Sequence, residues 1–277
     1  MEGLTALERR LRQALADGTL ALRYQPIVAL ATGDVEELRA MLRWPGAGDI
    51  TPEQLIDVAR SAGMLDALYA WILRTACVEA AQWRAAGMRA SVGVTLGVDQ
   101  VIGGTAAHDA AAALAWSGLP PAALSIGLPI TAVTSHPHDA RMAMPGLRAL
   151  GVSMGIAGVT TWPLPAGYEP PSIDWVGLDR SLVALLAELP SPRAAVDTVA
   201  AFVGEHRGRT VASGVETDRQ LDCIVALGVT HALGYWFAPP TAATELAALL
   251  IRMGAARMAR LGRFRSWQDR GTTTQVP

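Results

Sequence analysis

Apolar residues recur along this chain in two rhythms that take turns from one end to the other. The opening MEGLTALERRLRQAL has the 3.6-residue period of an amphipathic helix over 5–16, and it lacks the build of a signal peptide. Residues 20–30 alternate as a strand does, a turn follows at Thr32-Gly33-Asp34, and 35–44 alternate again up to Pro45 and a Gly-rich loop. Thr51-Pro52-Glu53 then marks a helix start, with a capping hydroxyl, a proline at the first helical position and an acid in the first turn. A longer helix is predicted over 64–86, stopping near Gly87, then a strand over 89–96 and an Ala-rich helix over 105–117. Short apolar runs at 124–128, 152–156 and 175–178 read as buried strands, with a helix over 139–150 ending at Gly151. A helix over 193–206, a strand over 210–212, a helix over 217–227 and a last strand over 231–235 complete the series.

Strand and helix alternate over the whole length, which defines an α/β fold and predicts a single TIM-like (β/α)8 barrel over residues 1–250. No linker divides it. Residues 251–277 differ: arginines are interleaved with Met253, Met258, Leu261, Phe264 and Trp267, which predicts a basic C-terminal helix and a flexible tail.

Composition changes this picture in a few places. The chain has 277 residues, is 51% hydrophobic and 17% charged, and carries a net charge of -2, so no global field attracts nucleic acid. All 23 basic residues are arginine. Mean hydropathy is high at +0.27, yet no uninterrupted apolar run reaches about 18 residues, so no membrane span is expected. Cys77 and Cys223 show no metal-ligand spacing and read as free thiols of a cytoplasmic protein. His136-Pro137-His138-Asp139 reads as a solvated loop, and Ser181 and Ser213 have no base partner visible in the sequence.

Six segments, in order and in register, carry a resemblance: YQPIVALATGDV, AMLRWP, TPEQLIDVARSAGML, LDRS, SGVETDRQL and LGYWFAPP. Together they resemble the EAL domain family, whose members hydrolyse the bacterial second messenger cyclic di-GMP. The resemblance implies a TIM-like barrel with the ligand across the C-terminal ends of its strands. It also implies two divalent cations, held by carboxylate and amide oxygens, that activate a water and stabilise charge on the phosphate. The chain departs from that pattern at nearly every metal position. The signature Glu-Ala-Leu is matched by Arg39-Ala40-Met41, the Asn by Thr95, and two glutamates by Gly127 and Ile130. The paired aspartates are matched by Ala157-Gly158, the lysine by Gly177, and the first Glu of the E-G-V-E turn by Ser213, although Glu216 is kept. The Gln before the last Gly-Tyr is Leu233. No catalytic residue, metal or cofactor is therefore expected.

Two kinds of binding remain open. Arg39, Met41 and Arg43 share one face of a strand, so Arg39 and Arg43 are candidates to hold a phosphate directly, with Gln25, Asp179, Glu216 and Tyr235 around them. Arg43 could equally pair with Asp179, and Arg39 with Glu37 or Glu216. The loop VTTWPLPAGYEPPSIDW, stiffened by four prolines, offers Trp162, Tyr168 and Trp175 as interface candidates, joined by Phe264 and Trp267 of the tail. Trp162 and Trp175 could instead cap the barrel's own core. The leading expectation is a catalytically inactive regulatory barrel that acts through an unidentified protein partner and through a homodimer. The alternatives are a metal-independent receptor for cyclic di-GMP or another phosphorylated ligand, and a repurposed enzyme whose only evident acids are Asp179 and Glu216.

Overall fold

The structure, a computed structural model, describes residues 2–48, 50–160, 173–186, 188, 193–205 and 208–254. Helix α1 (Glu2–Ala16) precedes a hairpin of β1 (Ala21–Ala29) and β2 (Val35–Arg43), which turns at Gly33 with a positive φ of 74°. Helices α2 (Pro52–Ser61) and α3 (Leu65–Ala85) lead to β3 (Ser91–Thr95). Helices α4 (Val98–Ile102) and α5 (Ala106–Ser117) lead to β4 (Leu124–Pro129), and α6 (Ile130–Ser135) and α7 (Pro137–Leu150) to β5 (Ser153–Val159). Then come β6 (Trp175–Leu178), α8 (Arg180–Leu186), α9 (Arg193–Glu205), β7 (Arg209–Ser213), α10 (Asp218–Ala226), β8 (His231–Leu233) and β9 (Thr241–Ala242).

Strands β2 to β8 run parallel in sequence order, and β1 closes the ring between β8 and β2, antiparallel to both. The fold is the expected barrel with one strand reversed. Reversal puts the start of β1 beside the C-terminal ends of the other strands, so residues of β1 reach the mouth. Alternation sets the face a residue takes but not the direction its strand runs.

The predicted capping signal at Thr51 forms in full: Thr51 Oγ1 accepts from Gln54 N at 3.3 Å, and Gln54 Oε1 accepts from Thr51 N at 2.9 Å. Thr217 and Gln220 repeat the same box at the start of α10. The short helices α4, α6 and α8 are absent from the sequence-based expectation, because five to seven residues span too few turns for a 3.6-residue period to register.

The core has two layers. The outer layer lies between the strands and the helices; there Tyr24 points out of β1, meets Trp83 of α3 edge-on at 4.6 Å and donates its hydroxyl to Glu79. The inner layer lies inside the barrel and holds Ile27, Ala157, Trp175, Val211 and Leu233, with Met41 packed against it.

Candidate functional site: the barrel mouth

The side chains that face inward follow from the pleat. Glu37, Arg39, Met41 and Arg43 climb the inside of β2, with Glu37 at the floor and Arg43 at the mouth. A β-bulge beside Ile27 inserts Glu36 as an extra residue at the floor. Every charge at that floor has a partner. Glu37, 1% exposed, accepts from Arg209 Nη2 at 2.7 Å and from Arg39 Nη2 at 3.0 Å. Glu36 lies 3.0 Å from His231 Nε2 and 3.8 Å from Arg209 Nη1.

Above the floor the wall of β4, β5 and β6 is built from glycine. The Trp175 indole, 1% exposed, packs against Gly127, Gly155 and Gly177. A Cβ at 127 would stand 2.7 Å from the indole Cη2, one at 177 would stand 3.3 Å from Cζ3, and one at 155 would be closer still to both indole and backbone. The Arg39 guanidinium lies 4.9 Å from the centre of the same ring, a cation–π contact. Its bonds to Glu37 hold it there.

This geometry revises several sequence expectations. Arg39 is not at the mouth beside Arg43: only 12% of its side chain is exposed, and it takes the Glu37 pairing. Alternation gave the correct face, but the acid two residues away on that face pulls the guanidinium down. Gln25 is 5% exposed and donates to Ala238 O at 2.9 Å, so its amide fastens the segment after β8. Trp175 is no interface residue, because the barrel interior encloses it. Asp179 does not pair with Arg43: its Oδ1 accepts from Ser181 N at 2.8 Å and Ser181 Oγ at 2.6 Å, while Arg43 donates to Leu42 O at 2.8 Å. Glu216 is exposed beside the α10 cap. Trp162, Tyr168, Phe264 and Trp267 lie outside the described residues.

Two of the expected ligand residues do come together. Arg43 and Tyr235, 64% exposed, border one groove of about 430 Å³ between the β2–α2 loop and the segment after β8. Arg23 joins them, with Pro239 and Pro240 on the far side. The sequence reading missed Arg23, although its two-residue spacing from Gln25 was the signal that both face inward. The Glu53 carboxyl is held below its ordinary range by its own backbone N–H and by the Thr51 hydroxyl, with Arg180 and Arg43 adding to the effect.

A pair of hard cations needs several oxygen donors converging on one point. Among the described residues no group of three or more His, Cys, Asp or Glu is close enough to hold a metal ion. Asp179 is engaged by Ser181, and Trp175 fills the space against the glycines. The described residues do not fit a two-cation site.

Comparison with known proteins places the chain. Residues 8–240 match the family model of the EAL domain, and the chain belongs to that family. It is 34% identical over 249 residues to the uncharacterized protein y4lL of Sinorhizobium fredii, covering 87% of this chain and 29% of that protein. It is 31% identical over 238 residues to the cyclic di-GMP phosphodiesterase NbdA of Pseudomonas aeruginosa, covering 84% of this chain and 30% of the relative. The chain thus spans about a third of the length of these curated relatives. Among solved structures, the PaMucR phosphodiesterase in its c-di-GMP complex superposes with a TM-score of 0.77 at 26% identity, covering 86% of this chain and 98% of that one. The FimX EAL domain of Xanthomonas citri, in complex with c-diGMP, shares the fold with a TM-score of 0.76 at 20% identity, covering 86% and 94%. No helix among the described residues is long and apolar enough to cross a membrane.

Proposed function

We propose that this EAL barrel is a catalytically inactive member of cyclic di-GMP signalling, a regulatory module that works by contact and not by hydrolysis. One observation carries the reading. Trp175 and the glycines at 127, 155 and 177 fit each other, with Arg39 over the ring, on the wall where the family pattern has a glutamate and a lysine. That wall is repacked, and repacking leaves no acid there to bind a cation or activate a water. The test is to incubate the protein with cyclic di-GMP and Mg²⁺ or Mn²⁺ beside an active EAL phosphodiesterase, and to follow the linear product by chromatography. No product is expected from this chain; turnover that depends on the added cation would overturn the reading.

The groove of Arg23, Arg43 and Tyr235 favours a second reading, a metal-independent receptor for a phosphorylated ligand. Two guanidiniums can pair with a phosphate directly, and an exposed tyrosine offers a ring face to a base. Calorimetry with cyclic di-GMP, with and without Mg²⁺, separates the two. Binding that is indifferent to Mg²⁺ and lost in Arg43→Ala supports the receptor; no heat at high ligand concentration leaves protein contact as the output.

A further inference from the structure

The two arginines of the mouth groove come from neighbouring strands, and the strand register fixes how they relate. Strands β1 and β2 pair antiparallel, with Ala21 opposite Arg43 and Arg23 opposite Met41. Directly opposed residues share a face, so Arg23 and Arg43 are diagonal neighbours on the inner face. Such neighbours stand roughly 7–8 Å apart, within reach of long side chains. Two guanidiniums on these stems can close on a single oxyanion. Neither is locked elsewhere by a strong ion pair: Arg23 meets Glu245 at 3.9 Å with both side chains largely exposed, a contact worth little, and Arg43 donates to the Leu42 carbonyl. No acid among the described residues lines the groove.

The walls of the groove are apolar and braced. Trp44 and Ile50 stand on one side, Tyr235 and Pro239 on the other. Arg10 of α1 holds the Trp44 side from behind: it donates to Gly46 O at 2.9 Å, and its guanidinium lies 5.6 Å from the centre of the Trp44 ring. A wall fixed in advance loses little freedom when a ligand arrives. The barrel beneath is closed. Trp175 fills it against the glycines, and Arg39 is engaged by Glu37, so a second phosphate finds no guanidinium deeper in. At about 430 Å³ the groove lies at the small end of ligand pockets, which run from roughly 300 to 1,000 Å³.

We infer that this groove binds a nucleoside monophosphate in preference to a cyclic dinucleotide, with Arg23 and Arg43 on its phosphate and Tyr235 against its base. The inference rests on the receptor reading above and names the ligand class of that same groove. Charge selects the monoester. A phosphate monoester carries about −1.5 to −2 at neutral pH, which two guanidiniums match. Each phosphate of a cyclic dinucleotide is a diester with a single charge, and its ring holds the two apart, so one arginine pair serves only half of it. The exposed Tyr235 ring supplies a stacking face for one base.

Calorimetry on the full chain without Mg²⁺ tests it, with GMP, AMP, cyclic GMP, cyclic di-GMP and inorganic phosphate as ligands. GMP or AMP is expected to bind about tenfold or more tightly than inorganic phosphate, which lacks the base, and than cyclic GMP, which keeps the base but is a diester. Arg23→Ala, Arg43→Ala and Tyr235→Ala are each expected to weaken that binding about tenfold, with circular-dichroism melting unchanged because all three side chains border solvent. Cyclic di-GMP or cyclic GMP binding as tightly as the mononucleotide overturns the inference and leaves the receptor reading standing. Inorganic phosphate binding as tightly as GMP does the same, since the base would then contribute nothing. Mononucleotide binding that persists in all three variants lies outside the groove and also overturns it. No binding of any of these ligands ends the receptor reading and the inference together.

Discussion

The floor of the barrel and the wall above it solve the same problem in opposite ways. At the floor, Glu37 is almost wholly buried, and Arg39 and Arg209 both reach its carboxylate. On the wall, positions 127, 155 and 177 carry no side chain, and a neutral indole fills the space. A buried carboxylate needs a counter-charge. At the floor the chain supplies it from its own arginines. On the proposed reading the wall, which would need a cation from solution, has lost its acids and become hydrophobic core. On that reading, acids persist inside this barrel where an arginine of the same chain meets them.

The largest expected effect tests the floor. Glu37→Gln leaves Arg39 and Arg209 without their acceptor and is expected to cost about 3–5 kcal/mol in urea unfolding. A cost well below that would mean that the floor charges are as dispensable as those of the wall, and the contrast would collapse. Next is the wall. Gly127→Ala forces a Cβ against the indole and is expected to cost about 1–3 kcal/mol. In a Trp175→Leu background the same substitution should cost far less, and the double-mutant cycle measures the coupling. Equal costs in both backgrounds would show that the glycine and the tryptophan are not fitted to each other.

These tests probe what the sequence displayed unevenly. The order of strands and helices was legible, because periods of 2 and 3.6 persist over whole elements and Thr51 and Gly151 punctuate them. Small residues at 127, 157, 158 and 177, where the resemblance leads one to expect acids and a lysine, were visible in the sequence. The side chain that fills the space beside them was not. Trp175 could cap the core or face a partner, and only the loss of three Cβ atoms on neighbouring strands shows which it does. Arg39 and Arg43 looked alike in the sequence; an acid below one and open space beside the other separated them. Depth along a barrel axis is a tertiary quantity that alternation does not encode.

Two smaller effects refine the contrast. Glu36 is 48% exposed at its side chain, so Glu36→Gln is expected to cost under about 1 kcal/mol, against several for its neighbour Glu37. Glu79 is a carboxyl met by a hydroxyl, not by a cation. Burial raises its pKa above the ordinary 4.5, and the hydrogen bond from Tyr24 opposes that only in part. Its folded pKa exceeds its unfolded one, so its contribution is fully present below about pH 4.5 and is lost as pH rises through the folded value. Glu79→Gln should therefore gain stability relative to the parent between acid and neutral pH, by a fraction of a kcal/mol, in urea melts at pH 4 and 7. Asp99 has the opposite sign: its bond to Arg60 lowers its pKa, so its small, exposed contribution is lost as pH falls.

The glycine-lined wall also constrains the order in which mutations could accumulate. A glutamate at 127 begins with a Cβ pressed against the indole, so it could arrive without penalty only after Trp175 had become smaller. A smaller residue at 175, arriving first, leaves a cavity in the barrel and costs stability with no compensating gain. A route toward a carboxylate on this wall thus passes through a less stable intermediate, whichever change comes first.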